Sequence, residues 1–164
     1  MRSRRRTSPA ISVAPGERVL ASCASVDGVV LAGTRDAFYI GSEPVIRVPW
    51  EQVEAADWDR DDAVFRLSLV GSWGEEKVEH SYGLTEPGRL LELVRERVTA
   101  SIVLQRHVPV AGRHGVRVIG RRPPRGTGEI AWFFEYDEAV DPTDPAVREA
   151  CVGALAAARA DVGL

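Results

Sequence analysis

Apolar side chains recur at spacings of three and four between Pro87 and Gln105, at Leu90, Leu91, Val94, Val98 and Ile102. That is the period of one helical face. The spacing predicts a helix over 87–105, with Thr85 as N-cap and Pro87 and Gly88 in the first turn, where proline costs little. Upstream the period falls to two. In 63–70 the residues Phe65, Leu67 and Leu69 alternate with Val64, Arg66 and Ser68, which predicts a strand with the first three facing inward. Shorter runs at 17–25, 29–31, 37–40, 45–50 and 77–82 read as further strands, separated by turn signals at Asp27-Gly28, Thr34–Asp36, Gly41–Pro44 and Asp59–Asp62. Residues 51–58 fit a helical turn or a strand equally well, and 71–76 reads as a loop.

Past His107 the pattern changes. Residues 108–115 read as a linker, 116–122 as a strand, 123–128 as a loop and 129–136 as a second strand. Ile130, Trp132, Phe134 and Tyr136 share one face of that last strand. Asp144 as N-cap and Pro145 at the first position open a helix over 145–162, with Val147, Cys151, Leu155, Ala158 and Val162 near one face and Gly163 suited to its end. The resulting fold class is α+β: a small antiparallel β-barrel or sandwich of six to seven strands capped by one helix, followed by a β-β-α extension. In domain terms this gives a disordered basic arm over 1–15, the capped barrel over 16–107, and a hairpin with a helix packed on it over 108–164. The extension is too small to bury a core alone, so its aromatic stripe is expected to pack on the last helix or on the first unit.

Composition fits this picture and narrows it. The chain has 164 residues, 45% hydrophobic and 27% charged, as in a globular protein with a sizeable core. No apolar run approaches the roughly 20 residues that cross a bilayer. The basic start leads into an apolar run too short for a signal peptide, so a cytoplasmic setting is expected. Cys23 and Cys151 lie far apart with no metal-type spacing and are read as reduced, buried thiols. The net charge is -3, but it is unevenly spread: residues 1–88 balance to -4, 89–125 to +7 and 126–164 to -6.

The runs Leu31-Ala-Gly-Thr-Arg-Asp-Ala-Phe-Tyr-Ile and Val48-Pro-Trp-Glu-Gln-Val-Glu-Ala-Ala-Asp, followed by a turn, a strand and a helix, resemble bacterial pleckstrin-homology-like domains over about 16–106. The segment Val94–Val108 is also similar to an uncharacterised protein family of high-GC Gram-positive bacteria. The first resemblance implies a helix-capped barrel and a binding role. In that superfamily, recognition of phosphoinositide head groups needs basic residues around the first hairpin. Here nothing basic lies between Arg18 and Arg35, which makes a lipid membrane a doubtful partner.

Catalytic signatures are missing from the sequence. Asp57, Asp59 and Asp61 have the spacing that opens a calcium loop, but Asp62 and Ser68 stand where glycine and glutamate are needed, so the segment is read as a hairpin turn. His80, His107 and His114 lack the cysteine or carboxylate company of a zinc site and have no marked nucleophile to serve, and are read as surface residues. Gly126-Thr-Gly128 is no phosphate loop, because no Gly-Lys-Ser/Thr follows. No enzyme activity, cofactor, metal or small-molecule substrate is expected. Arg113, Arg117, Arg121, Arg122 and Arg125 form the candidate partner-binding or anion-binding set, with Arg117 and Arg121 on one strand face. The competing reading pairs them with Glu129, Glu135 and Asp137 on the adjacent strand. The function expected is interaction or scaffolding through a protein or peptide partner or self-association, with weak nucleic-acid or anion binding as the alternative.

Overall fold

A computed structural model describes residues 10–71, 77–126 and 128–164. The first nine residues of the expected basic arm, with Arg2, Arg4, Arg5 and Arg6, lie outside the described residues, as do 72–76 of the loop after the sixth strand. Among the described residues the fold is α+β, with three antiparallel sheets and two helices. The strands β1 (Ala21–Ala24), β2 (Val30–Gly33), β3 (Ala37–Gly41) and β4 (Ile46–Pro49) form one sheet in sequential order. A second sheet holds β5 (Val53–Asp59), β6 (Val64–Leu69) and β7 (Glu79–Gly83). After α1 (Leu90–Ser101), a third sheet has the order β10 (Ala131–Tyr136), β9 (His114–Arg121), β8 (Ile102–Ala111), and α2 (Pro145–Asp161) ends the chain. The chain divides into two compact units between Thr99 and Ala100, inside α1.

The expected barrel does not close; its seven strands form two open sheets. Between β4 and β5 the chain turns through a 3-10 segment, Trp50–Gln52, and Pro49 before it has no N–H to give to a ladder. The undecided residues 51–58 thus divide between that turn and β5. The two sheets nevertheless share one core, in which Leu31, Phe38, Ile40, Trp50, Val53, Phe65 and Leu67 are buried together with Leu90 and Val94 of α1. Phe38 sits at its centre, with ring centroids 5.9 Å from both Trp50 and Phe65. The Trp50 indole donates to Thr34 O at 3.0 Å, so the buried ring keeps its polar atom satisfied. Gly33 gives α1 its seat: a Cβ there would lie 2.6 Å from Leu93 Cδ2 and 3.2 Å from the Trp50 ring. The inward-facing expectation for Phe65 and Leu67 holds, and Leu69 packs partly buried against the same core.

The helix expected over 87–105 is shorter at both ends. Gly88 has φ +56° and makes a turn instead of a helical first residue. At the other end Ile102, Val103 and Leu104 leave the helix for β8, where branched side chains fit a pleated surface. Residues 108–115 are likewise no linker. They complete β8, turn at Gly112 (φ +62°) and enter β9, so the expected hairpin is a three-stranded sheet. The pattern in β8 has period two: Leu104, Val108 and Val110 pack toward the residues of α2. α2 begins as expected, with Asp144 Oδ1 accepting from Ala146 N at 2.8 Å. It ends at Gly163 (φ +80°), where Leu164 N donates to Arg159 O at 2.9 Å.

Candidate interaction surface

The third sheet has two unlike faces. Toward α2 it presents Val116 and Val118 from β9 and Trp132, Phe134 and Tyr136 from β10, packed around Val147, Cys151, Ala154 and Ala158. Three members of the aromatic stripe are therefore part of this core, although each stays only partly buried because β10 is an edge strand. Gly120 lets Trp132 lie across β9, since a Cβ there would be 2.8 Å from the indole. The Tyr136 hydroxyl meets Cys151 Sγ at 3.9 Å. Burial raises the Tyr136 pKa, and the thiol beside it adds to the effect.

The opposite face carries the charges. The register sets His107, Arg117 and Glu135 in one row across β8, β9 and β10. Arg117 Nη1 reaches Glu135 Oε2 at 3.2 Å, the cross-strand pairing that alternation allows. Next to it His107 Nε2 lies 3.0 Å from Asp137 Oδ2, which also accepts from Gly115 N at 2.6 Å. Hydrogen bonds from His107 and Gly115 hold the Asp137 carboxyl below its usual pKa. No acidic partner for His107 was foreseen in the sequence, because thirty residues separate it from Asp137.

The five arginines of the candidate set are not gathered into one patch. Arg113 is exposed in the β8–β9 turn and Arg117 is paired with Glu135. Arg121 shares the strand face of Arg117, but its residue is only 4% exposed and its guanidinium donates to Ser101 Oγ, with Nε at 3.1 Å. Arg122 is half-buried, its backbone N–H donating to Ser101 O at 3.0 Å, and Arg125 is exposed in the following loop. Strand alternation correctly assigned the face and could not tell how deep along it each residue would lie.

The N-terminal unit has a polar cluster that the sequence did not announce. Ala14-Pro15-Gly16-Glu17 is a turn closed by Glu17 N donating to Ala14 O at 3.0 Å, with Gly16 at φ +81°. The turn carries Glu17 onto the outer face of the first sheet, where Ile11, Val13 and Val19 also pack on Ala32, Ala37 and Tyr39. There Glu17 accepts from Thr34 Oγ1 at 2.6 Å, Tyr39 Oη at 2.8 Å and Arg47 Nε at 3.0 Å. Of the aspartates at 57, 59 and 61, the first two lie in β5 and the third in the turn that follows, where Asp59 Oδ1 accepts from Asp61 N at 3.0 Å and Asp62 N at 3.1 Å.

The edge of β10 is a further feature of the third sheet. Its register with β9 is regular from Ala131 to Tyr136, and Asp137 N donates to Gly115 O at 3.0 Å. Antiparallel ladders alternate, so Phe133, Glu135 and Asp137 bond toward β9. The N–H and C=O groups of Trp132, Phe134 and Tyr136 point away from it. Among the described residues no backbone group meets them.

No protein-family model matches this chain, and no curated protein is similar to it. Among the described residues no helix is long and apolar enough to cross a membrane.

Proposed function

We propose that this protein works by binding rather than by catalysis, and that its working surface is the edge of β10, which accepts an extended strand of a protein partner. The observation that carries this reading is the regular, outward-facing hydrogen-bonding row at Trp132, Phe134 and Tyr136. Strand addition gains affinity from such main-chain groups and specificity from the side chains beside them. For the N-terminal unit, the order of four strands, three strands and one helix supports the pleckstrin-homology-like reading of 16–107 as a scaffold. The two free, buried thiols support a cytoplasmic setting. Anion or nucleic-acid binding through the arginine set is the weaker reading, because Glu135 and Ser101 already engage Arg117 and Arg121.

Amide exchange of the dilute chain tests the reading residue by residue. Trp132, Phe134 and Tyr136 should exchange fast while Phe133, Glu135 and Asp137 are protected by β9. Slow exchange at all six in a dilute monomer would mean that the edge is already covered, and would end the proposal.

A further inference from the structure

Sheet edges invite pairing with another chain, and proteins blunt them with short strands, prolines, bulges or charges. Among the described residues, the other edges of this molecule carry such devices. β1 and β4 are four residues long, and β4 ends at Pro49. β5 shifts register between Val53 and Ala55, and β7 begins with Glu79 and His80. β8 contains Pro109 and shifts register twice. β10 has neither proline nor bulge, and its one charge, Glu135, is turned to Arg117 on its own sheet.

Resting on the strand-docking reading above, we infer that the strand β10 accepts is β10 of a second copy, paired antiparallel about Phe134. The register argues for this occupant. A two-fold axis at Phe134 places Trp132 opposite the partner's Tyr136 and Phe134 opposite the partner's Phe134. These are the residues whose backbone groups face outward, so all three pairs are of the hydrogen-bonded kind and contribute roughly six bonds. On the α2 side the new neighbours are then aromatic on aromatic, among the most favourable cross-strand pairs. On the other side, Phe133 falls opposite the partner's Glu135, so no like charges are opposed within the strand. A shift of the axis by one residue to Glu135 would still pair outward-bonding residues, but it would set two carboxylates face to face at a close, non-hydrogen-bonded position. Isologous two-fold contacts of this type demand such self-complementarity. The product is one continuous sheet running through both copies, with each α2 on the same side.

Two substitutions separate the pairing from mere damage to the strand. Both Phe133→Glu and Phe133→Lys remove the same ring. Across the axis the first sets a carboxylate against the partner's Glu135, and the second sets an ammonium there, twice per dimer. Sedimentation of the full chain from micromolar to millimolar concentration should give a monomer–dimer equilibrium in which Phe133→Glu is weakened about tenfold or more relative to Phe133→Lys. Amides of Trp132, Phe134 and Tyr136 should gain protection as the dimer forms. A dimer that leaves those amides fast, or that treats the two variants alike, overturns the inference. A monomer at every concentration with the same amides fast overturns self-pairing and leaves the strand-docking reading standing. A dilute monomer with them slow overturns both.

Discussion

Glu17 and Tyr39 stand 22 residues apart in the chain, yet the tyrosine hydroxyl donates to Glu17 Oε2 at 2.8 Å. The same phenol oxygen accepts from Ala14 N at 3.0 Å, so one residue of β3 fixes both arms of the Ala14–Glu17 turn. Arg47 closes the cluster from β4, its Nε 3.0 Å from Glu17 and 3.1 Å from Tyr39 Oη. With the Glu17 side chain only 6% exposed, this cluster rather than propensity holds the N-terminal segment on the sheet.

Removing the carboxylate leaves Thr34, Tyr39 and Arg47 without their common acceptor. Glu17→Ala should cost about 2–3 kcal/mol in chemical unfolding, and Glu17→Gln somewhat less. Burial of Glu17 opposes ionisation, but the hydrogen bonds from Thr34, Tyr39 and Arg47 outweigh it and lower the pKa from its usual value of 4.5. A depressed carboxyl pKa contributes stability above the unfolded-state pKa, and loses it as pH falls through the folded-state value. Wild type should therefore lose stability on acidification below about pH 4.5 more steeply than Glu17→Gln.

Asp137 has the same sign. Its donors His107 and Gly115 lower its pKa from 3.8, so the stabilisation is complete above that range and fades as the carboxyl protonates. Asp137→Asn should flatten the acid limb of the unfolding profile.

Arg121 is expected to behave as a structural residue. Arg121→Ala should lower stability by about 2–3 kcal/mol, because a buried guanidinium and its hydrogen bonds to Ser101 are lost together. Arg121→Lys should restore only part of this, because an ammonium cannot reproduce the planar fork. Arg113→Ala, on an exposed turn residue, should leave stability within about 0.5 kcal/mol.

Two glycines should respond oppositely to alanine. At Gly115 an added Cβ would run into the carbonyl oxygen of Val108 and lie 2.8 Å from Pro109 Cα, all backbone of β8. Gly115→Ala should therefore destabilise by more than about 2 kcal/mol. Gly153 lies inside α2 with nothing within 4 Å of such a Cβ, and Gly153→Ala should stabilise by about 0.5–1 kcal/mol. Thermal denaturation of the two variants beside wild type checks both signs.

How much was legible in the sequence depended on the range of the interaction. Local rules sufficed for most strand positions, for the inward face of β6 and for the Asp144 cap of α2, because alternation and capping involve neighbours a few residues apart. They failed at 102–111, where the apolar pattern serves a helix and a strand alike and only pairing with β9 decides between them. They also failed to say that the seven N-terminal strands form two open sheets, because which strands meet depends on the break at Pro49 and Trp50–Gln52. Composition could count the arginines near β9. Strand pairing offered Glu135 as a partner, which Arg117 meets, but it could not say that Arg121 was buried against Ser101, since depth along a strand face depends on what else packs there. Thus the sequence alone determined an α+β chain of short strands with one organising helix and one aromatic strand. The tertiary structure decided the cluster at Glu17, the contact of His107 with Asp137 and the exposure of β10 as an edge, because each joins residues whose proximity no local rule encodes.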